Sequence, residues 1–406
     1  MSEVASAPGV PERDVAGRAS GVAVPAARRA PSADELHVAR EARFGRVRVA
    51  MAEQGIDVVL CSLGADLPWL TGYEAMPLER PTVLVLPADG DATLVVPRLE
   101  APRVLHDPRL FALRSWSDGE DAAGIVAGLV GMGRRLAVSD RCWAGLLLDL
   151  QSGLPGASWS ATSRVIGPLR AVKDAAEIAA LAAASAAADR VAVALLAGEI
   201  PLVGRTEAEV SAEIGARLLA EGHAKVNFAI VGSGPNGASP HHEAGSRRIG
   251  RSEAVVCDFG GTLHLGEDAG YCSDVTRTVV TGPPEREFLE LYEVLEHAQA
   301  VAVAAVRPGL ACEEVDRAGR SVIDAAGYGE HFVHRIGHGI GLEEHEDPYM
   351  VAGNRAPLVE GQAFSVEPGI YLPGRFGARI EDVVVTTAGG AVPLNVADHA
   401  LHVVEA

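Results

Sequence analysis

Four acids and a histidine sit in sequence contexts that favour burial. Asp258 lies in the apolar run VVCDFGG, Asp274 opens SDVTRTVV, Glu367 lies in FSVEPG and Glu381 in ARIEDVVV. His338 is flanked by glycines in GHGIGLEEHEDP, residues 337 to 348, and His334, His338 and His345 fall within twelve residues. A single strand-end acid is ordinarily solvated, and a lone histidine is more often structural than a ligand. The set reads differently. Carboxylates that converge in a low-dielectric interior repel one another strongly, and each uncompensated one is costly or takes up a proton. Divalent cations resolve this. One imidazole with four carboxylates is a hard, oxygen-dominated donor set that suits Mn, Co or Fe better than a thiolate-rich zinc site. Two metals about 3.5 to 4 Å apart hold a bridging hydroxide at neutral pH and polarise a carbonyl, which is hydrolytic chemistry. Glycines beside His338 would let backbone approach a crowded cluster with no Cβ in the way, and would permit unusual φ.

Strands must carry these groups. Asp258 and Asp274 read as facing one another across an antiparallel pair with HLGED (264–268) at its tip, where opposed Cβ atoms lie about 4.5 to 5.5 Å apart. Arg379 and Glu381, two apart on a strand, share a face. Further strands (227–231 and the C-terminal runs) and helices near 206–222, 284–306 and 312–325 make this half α+β with an antiparallel sheet. The segment IGPLRAVKDAAEI (166–178) breaks periodicity before Asp174 and Glu177 offer a cap for an Ala-rich helix, placing a boundary near residue 168. Before it, SADE at Ser32 has the form of a capping box opening a helix to about Gln54. Strand patterns at 57–61, 82–87 and 93–97 and helical patterns near 120–131 and 142–150 then describe a small α/β domain. Residues 1–31, rich in Ala, Pro, Gly and Arg, read as a disordered tail. The expected organisation is a tail (1–31), a smaller domain (32–168) and a larger one (169–406).

Composition narrows the partners. With 35 Lys and Arg against 54 Asp and Glu, the 406-residue chain carries a formal charge of -19, which repels phosphate backbones and anionic membranes. Cys61, Cys142, Cys257, Cys272 and Cys312 show no CxxC spacing, which fits a reduced cytoplasm. The apolar stretch Ile178–Leu196 is broken by Asp189 and Arg190, short of the roughly 18 uninterrupted residues of a membrane span. VGSGPNG (231–237) matches a dinucleotide fingerprint at Gly232, Gly234 and Gly237, yet ASPHHEAGSRRIG after it has no helical period. The helix that should carry a pyrophosphate is missing, so a nicotinamide or flavin enzyme is the weaker alternative.

Together these residues resemble the metallopeptidases of the methionine aminopeptidase, prolidase and aminopeptidase P superfamily, whose catalytic domain is the pita-bread fold. The resemblance runs through NFAIVGSGPNGASPH, VVCDFGG, GYCSDVTRT, HRIGHGIGLEEHEDP, FSVEPGIY and ARIEDVVVT in the family's order, from about residue 168 onward. DLPWLTGY (66–73) looks like part of the creatinase-type N-terminal domain of the prolidase and aminopeptidase P branch. The resemblance implies that Asp258 binds one metal, Asp274 and Glu381 bridge both, and His338 and Glu367 bind the other. Glu367 would also take the proton of the attacking hydroxide. His345 would hydrogen-bond the scissile carbonyl, and His241 would contact the substrate. His334 and Arg379 match the proline-specific branch.

The expected function is hydrolysis of Xaa-Pro bonds in short peptides by two divalent ions, Mn first, with Co, Fe or Zn as alternatives, in a cytoplasmic homodimer. An Xaa-Pro dipeptidase is favoured over an aminopeptidase P acting on longer peptides. A creatinase-type C–N hydrolase and a metal-free binding paralogue stand further off. Trp69 would either line the partner's cleft or serve as ordinary core. One departure stands out: Asp258 and Asp274 are sixteen residues apart, more than is usual in the family. The added residues fall around HLGED; a one-residue register shift would turn Asp274 away from the metals. Asp268, nearer the usual spacing, reads as a turn residue.

Overall fold

The computed structural model describes residues 32–404 apart from 133 and 267, so the expected tail lies outside the described residues. The helix Ala33–Gln54 starts as expected: Glu35 N donates to Ser32 Oγ, Ser32 N donates to Glu35 Oε2, and Gly55 ends the helix at φ +67°. A six-stranded mixed sheet follows in the order 111–116, 92–97, 83–87, 58–61, 135–138, 158–161. Its two edge strands, Phe111–Trp116 and Ser158–Ala161, were not foreseen. Both are partly exposed, the first has only the short apolar run 110–113, and Ser158–Ala161 has none. Helices Ala122–Val130 and Ala144–Gly153 pack on one face around Val126 and Leu150.

Trp69 lies in a short helix, Asp66–Thr71, fully buried, and its indole Nε1 donates to Glu177 Oε1 at 2.9 Å. It is core of its own chain, which removes the alternative that it lines a partner's cleft. Glu177 also accepts from Tyr271 OH at 2.9 Å, so one buried carboxylate ties the first sheet unit to the second. The helix Ala175–Leu196 opens with an Asp174–Glu177 capping box. By length and hydropathy it resembles a membrane span, but 67% of its most apolar window is buried inside the protein, its first half with Tyr271 and Ile340 and its second with Val255, Cys257, Phe259 and Val279. Such packing makes it a core helix.

Two further sheets carry the chemistry. One runs 402–403, 275–280, 254–263, 225–233, with Tyr271–Cys272 added to the far end of Ala254–Leu263. The other runs 346–350, 337–339, 363–366, 382–387, 390–393, beside a hairpin Gly369–Leu372/Phe376–Arg379. Their pairings are antiparallel, as expected, apart from a two-residue parallel contact of His402–Val403 with Val279–Val280. The helices Arg286–Ala305 and Cys312–Ala325 bury Leu291, Leu295 and Val315 beneath them.

The long hairpin keeps one register throughout. Asp258 pairs with Thr276, Ser273 N donates to Gly261 O at 2.8 Å, and Leu263 pairs with Tyr271. The added residues therefore lengthen only the tip. The expectation that Asp258 and Asp274 oppose one another directly is corrected: Asp258 faces Thr276, and Asp274 sits two residues along from it, on the same face. Asp268 is a tip residue, ion-paired to Arg40 at 3.0 Å. After Ser233 the chain makes only a five-residue 3₁₀ turn, Gly234–Ala238, so VGSGPNG opens no helix that could carry a pyrophosphate.

Candidate metal centre and active site

Three antiparallel strand systems meet where Thr276 bridges Glu381. One ligand atom each from Asp274, His338 and Glu381 lie within 4.8 Å of one another, all three residues buried. His338 Nε2 lies 3.3 Å from Glu367 Oε1 and 3.7 Å from Asp274 Oδ2. Asp258 joins the cluster through Arg379, whose Nη2 donates to Asp258 Oδ2 at 2.6 Å. All five expected ligands thus converge from segments up to 123 residues apart in sequence.

Hydrogen bonding shows what the cluster lacks. Asp258 Oδ1, Asp274 Oδ1 and Glu381 Oε1 are buried with no partner among the described residues, each a costly omission unless a cation supplies it. The His338 Nδ1–H is aimed at Gly339 O at 3.2 Å, which leaves the Nε2 lone pair pointing at carboxylate oxygens. Burial, with His345 beside it, holds the His338 imidazole down at about 3, so it is neutral at ordinary pH. Lone pair against oxygen is stable only with an electrophile between them. Burial and the charges of Glu381, Asp258 and Glu367 push Asp274 well above the usual carboxylate range. Glu381 moves the same way, by burial and by Glu367 and Asp258. Burial lifts Glu367 to about 7, Asp258 adding to it while Arg379 pulls the other way. Divalent ions fit this donor set: they would take the orphaned oxygens and the imidazole and relieve the repulsion.

Glycines around His338 act by close approach alone. A Cβ on Gly337 would lie 1.8 Å from Ser365 O, and one on Gly339 would lie 2.3 Å from Asp347 O. The expected unusual φ is absent, since neither glycine has a positive one. The backbone they admit belongs to the flanking strand partners rather than to the cluster itself.

Around the carboxylates lies a relay that sequence reasoning did not find. Arg379 Nη1 donates to Tyr371 OH at 2.7 Å, Tyr371 OH lies 2.9 Å from His334 Nε2, and the His334 Nδ1–H points at Arg335 O at 2.7 Å. His334 is held neutral, pushed to about 3 by burial and by Arg379. Both its ring nitrogens are engaged within the protein. Thr276 accepts from Arg379 Nε at 3.1 Å and donates to Glu381 Oε2 at 2.7 Å. Ser365 accepts from His338 N and reaches Glu367 Oε1 at 3.4 Å. The available signals were weak: Thr276 stands in VTRT and Tyr371 in PGIY, but nothing local says what they touch.

His345 and His241 differ from the rest in being exposed. The His345 ring stands 4.0 Å from that of His338, at the rim of two cavities of about 230 and 650 Å³. His241 follows Pro240, whose carbonyl accepts from Arg379 Nη1 at 3.4 Å. Burial first, with His241 among the lesser causes, disfavours protonation of His334 and His345. Its neighbour His242 is instead tied to buried Glu207 at 2.8 Å.

Comparison with known proteins agrees with this geometry. The profile of metallopeptidase family M24 matches residues 170–388, and that of the creatinase/prolidase N-terminal domain matches residues 43–172. The chain is similar to the protein named probable dipeptidase PepE of Mycobacterium tuberculosis, with 45% identity over 89% of this chain and 96% of that one. It is also similar to the Xaa-Pro dipeptidase of Lactobacillus helveticus, with 35% identity over 82% of this chain and 91% of that one. Among solved structures, the prolidase from Thermococcus sibiricus superposes with a TM-score of 0.83 at 37% identity, covering 89% of this chain and 98% of that one. Strand register, buried carboxylate cluster and profile match converge on one statement: the chain belongs to metallopeptidase family M24 and carries a creatinase/prolidase-type N-terminal domain.

Proposed function

We propose that this protein hydrolyses Xaa-Pro dipeptides, with two divalent ions, Mn foremost, held by Asp258, Asp274, His338, Glu367 and Glu381. One observation carries the reading: three buried carboxylate oxygens without partners among the described residues, in the cluster into which the His338 Nε2 lone pair points. The ions would polarise the scissile carbonyl and make water nucleophilic at neutral pH. Glu367 accepts the proton of the attacking water and returns it to the leaving nitrogen. His345, at the rim, donates to the carbonyl oxygen as it becomes tetrahedral. His241, exposed and next to Pro240 whose carbonyl meets Arg379, contacts the substrate near the cleaved bond. His334 and Arg379, occupied by Tyr371, Arg335 and Asp258, are positioning residues that hold the metal-facing carboxylates in place.

The reading extends to a division of the chain near residue 168, to a homodimer, and to a reducing cytoplasm, the last supported by five unpaired cysteines, four of them buried. The roughly 650 Å³ cleft running from His345 past Leu63 and Trp143 favours a second reading, an aminopeptidase P that accepts longer peptides. Metal-depleted protein assayed on Ala-Pro and on a longer Xaa-Pro peptide separates them. The expected result is no activity until Mn is restored, then faster turnover of Ala-Pro. Full activity without metal would overturn the proposal.

A further inference from the structure

The loop 341–345, which carries His345 to the rim, contains no helix or strand. It is held from outside. Glu346, next to His345, is buried and accepts from Lys173 Nζ and Arg170 Nη2. Its carboxylate folds back beneath the loop, so that a Cβ on Gly341 would meet Glu346 Oε1 at 2.4 Å. Arg170 also donates to Glu343 Oε2 at 3.0 Å and to Asp66 Oδ1 at 2.9 Å. The other oxygen of Glu343 lies 2.7 Å from Arg141 Nη2. Glu343 is thus gripped through both oxygens by two guanidiniums, a geometry that fixes direction as well as distance. Arg141 follows the strand Arg135–Val138 of the six-stranded sheet, and Asp66 begins the short helix above it. The two cavities beside the loop share Glu343 and His345 in their walls.

We infer that Glu343, clamped between Arg141 and Arg170, is a positioning residue that sets the place of His345 over the scissile carbonyl, so that the first sheet unit governs turnover in the second. The inference rests on the reading of His345 as donor to that carbonyl. Such a donor acts only where the oxyanion develops, and a shift of about 1 Å costs on the order of 100-fold in rate. Glu346 is the poorer probe, because its loss would leave buried Lys173 without its carboxylate and take one of three from Arg170. Glu343 and Arg141 can be changed without that penalty: their side chains are 20% and 67% exposed.

The test is steady-state hydrolysis of Ala-Pro by Mn-loaded Arg141→Ala, Glu343→Gln, the double variant and Arg141→Lys, with melting temperature and Mn affinity measured on each. Each of the first two singles is expected to lower kcat about tenfold with KM within about twofold. Melting temperature and Mn affinity stay unchanged, the double variant is no worse than the worse single, and Arg141→Lys recovers part of the rate. An unchanged kcat, a rise in KM alone, additive losses, or a loss that follows melting temperature or Mn affinity would overturn the inference and leave the peptidase reading standing. Wild-type protein that binds Mn but leaves Ala-Pro intact would overturn both.

Discussion

Arg379 spends its Nη2 on Asp258 Oδ2 at 2.6 Å, and the other oxygen of that carboxylate is left buried without a partner among the described residues. One half of Asp258 is therefore fixed by the protein and the other is free for a cation. Removing a single member of a buried ion pair typically costs about 3–5 kcal/mol. Arg379→Met is expected to destabilise the metal-free protein by about that amount in urea unfolding, with a smaller loss once Mn is bound. Equal losses in both states would show that Arg379 does not serve the cluster.

Glu367→Gln keeps the size of the side chain and removes its basicity. The expected result is a kcat for Ala-Pro lower by about 10²–10⁴, with bound Mn quantified by elemental analysis to separate lost chemistry from lost metal. Undiminished turnover would remove Glu367 from the reaction.

Protons and metal compete for the same oxygens. In the unfolded chain Glu367 ionises near 4.3; in the metal-free fold burial and Asp258 lift it to about 7. The folded state then binds the proton more tightly, so stability is fullest below the unfolded value and is lost as pH rises through about 7. Asp274 and Glu381 act in the same direction. Calorimetry from about pH 5 to 8 should show the metal-depleted protein losing melting temperature relative to the Mn-loaded one, the gap widening with pH. A gap that does not vary with pH would contradict the buried carboxylate cluster.

Two glycines provide opposite outcomes. A Cβ at Gly337 would lie 1.8 Å from Ser365 O, whereas one at Gly45, inside the helix Ala33–Gln54, meets nothing within 4 Å. Gly337→Ala should cost about 1–3 kcal/mol or more, while Gly45→Ala should add about 0.5–1 kcal/mol. Thermal unfolding of the pair reads both, and a neutral Gly337→Ala would show that the strands beside His338 can part.

Trp69→Phe keeps an aromatic ring buried but removes the donor to Glu177 and the volume of the five-membered ring. A loss of about 1–3 kcal/mol in unfolding free energy is expected, with KM for Ala-Pro unchanged. A raised KM would return Trp69 to the substrate's path.

The clustered acids and His338 were legible because each stands among apolar residues or glycines, where an ionised group has no ordinary reason to be. Capping boxes at Ser32 and Asp174 were equally plain, being contained within four residues. What escaped were groups defined by partners far along the chain. Tyr371 has meaning only through His334 and Arg379, Thr276 only through Glu381, and Glu343 only through Arg141 and Arg170. No local period records such contacts. The offset of Asp274 from Asp258 escaped for a different reason: pairing is counted from the turn, and the turn was the part of unusual length.

That hairpin also has a use in the laboratory. Its ladder is complete by the Leu263–Tyr271 rung, and the tip beyond it reaches back to the reaction centre: His264, Ala269 and Gly270 line the cleft that His345 borders, and Leu265 packs beside Ile340 and Val383. A fluorophore or spin label attached there would sense the cleft directly, and would put the tether from Asp268 to Arg40 at stake as well.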